Sequence, residues 1–223
     1  MAPDLRLDNI KAIVFDLDGT LLDTLEDLAA AVNWSLRSNR MPERSLDEVR
    51  QFVGNGVRRL MERSIPGGAS NPLFEKAFVD FRSYYVQHCQ ERTRLYEGID
   101  ILLHNLKARG FRLAIVSNKL QAGVDELYER YFRDTVEVAV GERPGVQRKP
   151  APDMVHQALS ELGVTADEAV YVGDSEVDLA TARNSGLFCI SVLWGFRDRE
   201  FLMAHGATCL AETPADISLI IDN

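Results

Sequence analysis

The stretch Ala12-Ile13-Val14-Phe15-Asp16-Leu17-Asp18-Gly19-Thr20 decides how the rest of the chain is read. A short apolar, β-rich run stops at two carboxylates spaced two positions apart, and in an extended chain such positions share one side. Two acids on one side at the carboxyl end of a buried parallel strand lie where open α/β sheets bind ligands. Like charges so close repel, which favours a bound cation or a shared proton. The competing reading is that one Asp caps the following helix and the other is solvated.

Working outward, further β-rich runs bounded by turn residues recur at Phe111 to Val116, Val136 to Val140, Ala169 to Val172 and Phe188 to Val192. Helix-period segments separate them, at Ile101 to Arg109, Val124 to Tyr131, Pro152 to Leu162 and Leu179 to Asn184. Strand and helix therefore alternate as in a parallel α/β sheet. Gly110, Gly163 and Gly186 stand just past three of the helices, where a left-handed residue is favoured, and Pro152 suits a first helical turn. From about Leu25 to Arg92 the alternation lapses, and only helical patterns are found: Leu25 to Arg37, Leu46 to Phe52, Val57 to Ser64 and Leu73 to Cys89. Pro66-Gly67-Gly68 is a turn inside this region and Tyr96-Glu97-Gly98 a return point. The expected architecture is α/β: a Rossmann-like parallel sheet core (residues 1–21 and 95–223) with helices on both faces, and an inserted small α-helical domain (residues 22–94).

Three more segments follow apolar runs and carry groups suited to a phosphate. Tyr171-Val172-Gly173-Asp174-Ser175-Glu176-Val177-Asp178 brings a second set of acids to a strand end. Taken alone it is a capped helix start, but two strands ending in Asp pairs supply the hard oxygen ligands that Mg²⁺ prefers. Val116-Ser117-Asn118-Lys119 offers a hydroxyl, an amide and backbone N–H groups, and Arg148-Lys149-Pro150 offers cations ahead of a helix. Singly these are ordinary turn and loop sequences; together they provide donors and a point charge for phosphoryl oxygens.

Composition narrows the partners. Hydrophobic residues make up 46% and charged residues 26% of the 223, a globular balance that suits one domain or a core with a smaller insertion. Asp and Glu outnumber Lys and Arg by 34 to 25, for a net charge of −9 and no basic block able to follow a nucleic-acid backbone. An acidic protein that handles phosphate must concentrate positive charge locally, through a metal, a lysine or N–H groups. Cys89, Cys189 and Cys209 form no CxxC pair, so neither a disulfide framework nor a zinc site is legible, and a cytoplasmic location is expected. The start Met1-Ala2-Pro3-Asp4-Leu5-Arg6 has no apolar leader core, and no apolar run is long enough to span a membrane. No nucleic-acid or membrane partner is expected; the assembly could be monomer or homodimer.

On these residues the chain resembles the haloacid dehalogenase-like hydrolase superfamily over essentially its full length. The family's four ordered motifs match Asp16-Leu17-Asp18-Gly19-Thr20, Ser117-Asn118, Lys149-Pro150 and Gly173-Asp174 with Asp178. The resemblance implies that Asp16 is the nucleophile of an aspartyl-phosphate intermediate and Asp18 the general acid and base, a choice that the residues alone leave open. It also implies Mg²⁺ held by Asp16, the Asp18 backbone carbonyl and Asp174 with Asp178 in support, phosphoryl oxygens held by Ser117 and Lys149, and Thr20 and Asn118 beside the substrate. The helical insertion resembles the family's small cap, which closes over small phosphorylated metabolites and excludes water.

Within the family the nearest likeness is to phosphoglycolate phosphatases, through Asp16 to Asp23-Thr24, Val53-Gly54-Asn55-Gly56 and Arg148-Lys149-Pro150-Ala151-Pro152-Asp153. That likeness places Gly54, Asn55 and Arg58 at the substrate, with Arg58 or Arg59 reading a carboxylate, although Gly-Asn-Gly is by itself a tight turn. A pyrophosphatase, a sugar or nucleotide phosphatase, and a β-phosphoglucomutase share the pattern; the mutases typically carry Val where this chain has Thr20. Dehalogenases lack the second acid, here Asp18. From a different class, a non-catalytic phospho-ligand binding module would keep the same residues, yet no catalytic position is substituted.

Overall fold

The computed structural model describes residues 9–222 apart from residue 55. In chain order the strands are β1 (Ala12–Phe15), β2 (Leu22–Asp23), β3 (Arg94–Leu95), β4 (Arg112–Leu120), β5 (Val138–Glu142), β6 (Ala169–Gly173), β7 (Phe188–Val192) and β8 (Leu210–Ala211). The helices are α1 (Leu25–Ser38), α2 (Leu46–Phe52), α3 (Gly56–Ser64), α4 (Phe74–His88), α5 (Ile99–Ala108), α6 (Gln121–Tyr131), α7 (Asp153–Leu162), α8 (Glu176–Ser185), α9 (Arg199–Ala204) and α10 (Pro214–Ile221). Six strands form one parallel sheet in the order β5-β4-β1-β6-β7-β8, and β2 pairs with β3 in a sheet of two.

Two compact units emerge. One runs through Leu21 and resumes at Leu95; the other is Leu22–Arg94. In the first, β1 lies between β4 and β6, with Ala12 opposite Arg112 and Ala169, and Phe15 opposite Ile115 and Val172. All four of its side chains are fully buried, which explains why the run is continuously apolar rather than alternating. Ala12 and Val14 join Ala114, Val116, Val140 and Tyr171 in a cluster closed by Met154, Val155, Ala158 and Leu162 of α7. Ile13 and Phe15 point to the opposite face and are equally buried, so both faces are covered. Because the chain goes from β1 to strands on one side and then to β6 on the other, the sheet reverses direction beside β1, and its carboxyl end opens on the crevice where such sheets bind ligands.

The second unit is helical. α1 packs along α4, burying Ala31, Val32, Leu36, Ala77 and Phe81, and the Ser35 hydroxyl donates to the Ala77 carbonyl at 2.7 Å. Ser45 and Glu48 form a capping box at the start of α2. The buried Asp27 carboxylate accepts from the backbone N–H groups of Arg92 and Thr93 and from the Thr93 hydroxyl, tying the end of the unit to its first helix. Among the described residues, no helix is long and apolar enough to cross a membrane.

Several boundaries differ from the sequence-based expectation. β4 continues past Val116 to Leu120 through a register shift against β5. α8 begins at Glu176 rather than Leu179, and α9, α10 and β8 were not expected at all.

Candidate active site

Three buried acids meet at the carboxyl ends of β1 and β6. The Asp16 N–H donates to the Val172 carbonyl at 2.8 Å, placing the residue after β1 beside the end of β6. Oxygens of Asp16, Asp174 and Asp178 all lie within 4.8 Å of one another, and their residues are 8%, 1% and 0% exposed. Gly173 is required here, because a Cβ on it would fall inside contact distance of the Asp178 carboxylate.

One cation bridges two of the three acids. The Lys149 ammonium donates to Asp16 Oδ1 at 2.6 Å, to Asp178 Oδ1 at 2.9 Å and to the Tyr171 hydroxyl at 3.0 Å. Its backbone is pinned from the next strand: the Lys149 N–H donates to Asn118 Oδ1 at 2.8 Å, and the Asn118 amide donates to the Lys149 carbonyl at 3.0 Å. Asn118, expected beside the substrate, thus has its side-chain amide engaged in holding Lys149.

Asp178 is the most completely satisfied of the acids. Its Oδ1 receives Lys149 and the Tyr171 hydroxyl, and its Oδ2 receives the N–H and hydroxyl of Ser175. The last two bonds form a capping box at the start of α8, so Asp178 is at once a helix cap and a member of the acid cluster. Asp174 Oδ2 accepts the Phe196 N–H at 2.7 Å.

The charge balance shows in the proton affinities. Burial, then repulsion from Asp178, push Asp16 up to about 7, against the opposing pull of Lys149. Burial and the charges of Asp178 and Asp16 likewise hold Asp174 well above the carboxylate range. For Lys149 burial favours the neutral amine, but Asp16 and Asp178 outweigh it and keep the ammonium charged. One fixed cation therefore leaves negative charge uncompensated among hard oxygen donors, a donor set that fits a small divalent cation.

The remaining expected residues lie nearby or elsewhere. Asp18 is partly exposed; its Oδ1 has no hydrogen-bond partner among the described residues and lies 3.6 Å from the Lys119 ammonium, which is 8% exposed. The Thr20 hydroxyl is buried without a partner among the described residues. The Ser117 hydroxyl, 2% exposed, accepts the Lys119 N–H at 3.1 Å. Within the helical unit, Arg58 is ion-paired to Glu75 and lies over the rings of Phe74 and Phe78, and Arg59 pairs with Glu62 at 2.6 Å. Gly54 and Gly56 both take positive φ. Asn55 lies outside the described residues.

The model of the haloacid dehalogenase-like hydrolase family matches residues 13–192. The chain belongs to this family. Among curated relatives, a phosphoglycolate phosphatase of Colwellia psychrerythraea is 31% identical over 91% of this chain and 92% of its own length. Another from Aquifex aeolicus is 30% identical over 96% and 98%. Among solved structures, a provisionally assigned phosphoglycolate phosphatase from Lactobacillus delbrueckii subsp. bulgaricus superposes with a TM-score of 0.91 at 36% identity, covering 96% of this chain and 98% of that one. CbbY from Rhodobacter sphaeroides, in complex with phosphate, gives 0.74 at 27% identity, covering 93% and 96%.

Sequence reasoning overlooked several residues of this haloacid dehalogenase-like site. Tyr171 reads as one more apolar strand residue, and Lys119 as part of a turn. Trp194, Gly195, Phe196 and Arg197 follow β7 without any acidic or basic motif to mark them.

Proposed function

We propose that this hydrolase is a Mg²⁺-dependent phosphatase that cleaves small phosphate monoesters through an aspartyl-phosphate on Asp16, with 2-phosphoglycolate as the substrate. The observation that carries the reading is the convergence of Asp16, Asp174 and Asp178 at the carboxyl ends of β1 and β6, with Lys149 bridging Asp16 and Asp178. The substrate assignment is supported by relatives named phosphoglycolate phosphatases at 30–31% identity across most of the chain.

The residues divide the work as follows. Lys149 engages Asp16 Oδ1 and leaves Oδ2 as the attacking atom, while its charge opposes the rise in proton affinity that burial and Asp178 impose. The cation would be held by Asp16, Asp174 and the Asp18 backbone carbonyl, with Asp178 in support through its fixed hydrogen bonds. When bound, it supplies positive charge that lets the dianionic phosphoryl group approach three carboxylates. Asp18 protonates the leaving alcohol and then removes a proton from the water that hydrolyses the acyl phosphate. Ser117 and the Thr20 hydroxyl donate to phosphoryl oxygens, replacing solvent with fixed dipoles, and Lys149 adds a donor when a phosphoryl oxygen displaces one of its three present partners. Gly54, Asn55 and Arg58 in the helical unit tune which leaving group is accepted; for Arg58 to meet a carboxylate it must exchange Glu75 for the ligand.

Phosphate release from 2-phosphoglycolate, sugar phosphates, nucleotides, pyrophosphate and an aryl phosphate, each with and without Mg²⁺, tests this. The reading requires Mg²⁺-dependent turnover with 2-phosphoglycolate ranked first. A different leading substrate removes the substrate assignment alone, and no turnover of any ester leaves a phospho-ligand binding protein.

A further inference from the structure

The segment between β7 and α9, Leu193–Asp198, carries no motif, yet four consecutive residues of it each grip one of the two loops that bear the acids. The Trp194 indole N–H donates to the Thr20 carbonyl at 2.9 Å, reaching the last residue of the Asp16–Thr20 loop. Gly195 passes between the loops: a Cβ there would lie within 3.0 Å of the Gly19 carbonyl oxygen and of the Asp174 side chain. The Phe196 N–H donates to Asp174 Oδ2 at 2.7 Å, and a Cβ on Gly19 would meet the Phe196 ring at 2.8 Å. Arg197, 8% exposed, donates through Nε to Glu176 Oε2 at 3.0 Å, on the Asp174 side.

We propose that Trp194–Arg197 is a positioning clamp that sets the separation of the Asp16–Thr20 and Asp174–Asp178 loops, and with it the affinity for the divalent cation. The argument is geometric. A small hard cation tolerates little deviation from its ligand positions, and its ligands here come from two loops that follow different strands. Strand pairing between β1 and β6 ends at Phe15 and Val172, with one further bond from the Asp16 N–H to the Val172 carbonyl, short of Gly19, Thr20 and Asp174. Beyond that point, among the described contacts, the loops are bridged on one side by Lys149, joining Asp16 to Asp178, and on the other by this segment, joining Gly19 and Thr20 to Asp174. The Phe196 N–H also biases the choice of oxygen: with Oδ2 engaged, Asp174 would offer Oδ1 to the cation. Small outer partners of this kind typically change metal affinity by roughly 10- to 100-fold when removed.

The inference rests on the cation reading given above, and the test separates the two. Magnesium binding to the full chain is measured by calorimetry without substrate, for wild type, Trp194→Phe and Gly195→Ala. Trp194→Phe keeps an aromatic ring and removes the N–H; Gly195→Ala places a methyl group against Asp174. The clamp requires the Mg²⁺ dissociation constant to rise about 10-fold or more in at least one variant, with turnover recovering at high Mg²⁺ and KM for the ester at saturating metal within about threefold of wild type. A residue that merely packs would lower the melting temperature and leave the metal constant unmoved. Dissociation constants within twofold of wild type in Trp194→Phe and in any folded Gly195→Ala overturn the clamp. No binding of Mg²⁺ by wild type overturns the cation reading instead.

Discussion

Replacing Lys149 with methionine removes the one ammonium from a cluster of three buried carboxylates and leaves a side chain of similar length. At the observed 2.6 and 2.9 Å, the ammonium attracts Asp16 and Asp178 by about 6 kcal/mol each at an effective dielectric near 20, most of which offsets the desolvation of the charges. What remains when one partner of such a buried group is deleted is a loss of roughly 3–5 kcal/mol, because the acids stay behind unpaired. For a chain of this size that corresponds to a fall in melting temperature of about 6–20 °C. The loss should be largest in EDTA at pH 8, where Asp16 is ionised, and Mg²⁺ should restore a good part of it by replacing the missing charge. Turnover should fall by roughly 10²–10³-fold even at saturating Mg²⁺, since a phosphoryl oxygen and the nucleophile both lose a donor. Scanning calorimetry with and without metal, alongside phosphate release, reads both effects. A metal-free variant that melts within about 2 °C of wild type would refute the account of Lys149 as the charge that holds the acids together.

Asp16→Asn should abolish nearly all turnover. In EDTA it should also melt above wild type by a margin that widens from pH 5 to pH 8. The folded Asp16 titrates near 7 against an ordinary 3.8, raised by burial and then by Asp178, so its stabilising proton is fully present below about 4 and lost as pH rises through 7; a margin independent of pH contradicts this. Ca²⁺ should replace Mg²⁺ poorly in turnover while still raising the melting temperature, because its looser shell does not align the phosphoryl group; equal turnover with Ca²⁺ would count against the alignment argument. Arg58→Ala should lower kcat/KM for 2-phosphoglycolate about 10- to 100-fold more than for an aryl phosphate, and an equal fall for both would make Arg58 a structural partner of Glu75.

What the sequence disclosed was decided by the period and location of its signals. β1 and β6 stood out because strands buried on both faces are continuously apolar, and acids following them are conspicuous. Asp178 was harder: the bland reading, a helix cap, and the functional reading, an acid in the cluster, are both true of the same carboxylate. β8 has two residues and α9 six with only Leu202 buried, too little for any period to show. Tyr171 was hidden because its ring belongs to the apolar cluster of the sheet face while only its hydroxyl reaches Lys149 and Asp178. The segment after β7 works through a backbone N–H, an indole N–H and the absence of a Cβ, and a lone Trp-Gly in a loop does not by itself mark a site.

The position of β1 also constrains the order in which this protein can be made. Asp16 directly follows β1, and that strand lies between partners at 112–115 and 169–172. Both neighbours are thus separated from it by long intervening segments, and closing such loops is slow compared with forming local helices. The Leu22–Arg94 unit, by contrast, contains its own packing partners and can assemble as it leaves the ribosome. During synthesis the apolar run from Ala12 to Phe15 has no sheet partner until residue 115 has emerged, and its second edge stays open until residue 172 has followed. A chain cut before Ala169 would leave it with one neighbour and leave Asp16 without Asp174 or Asp178.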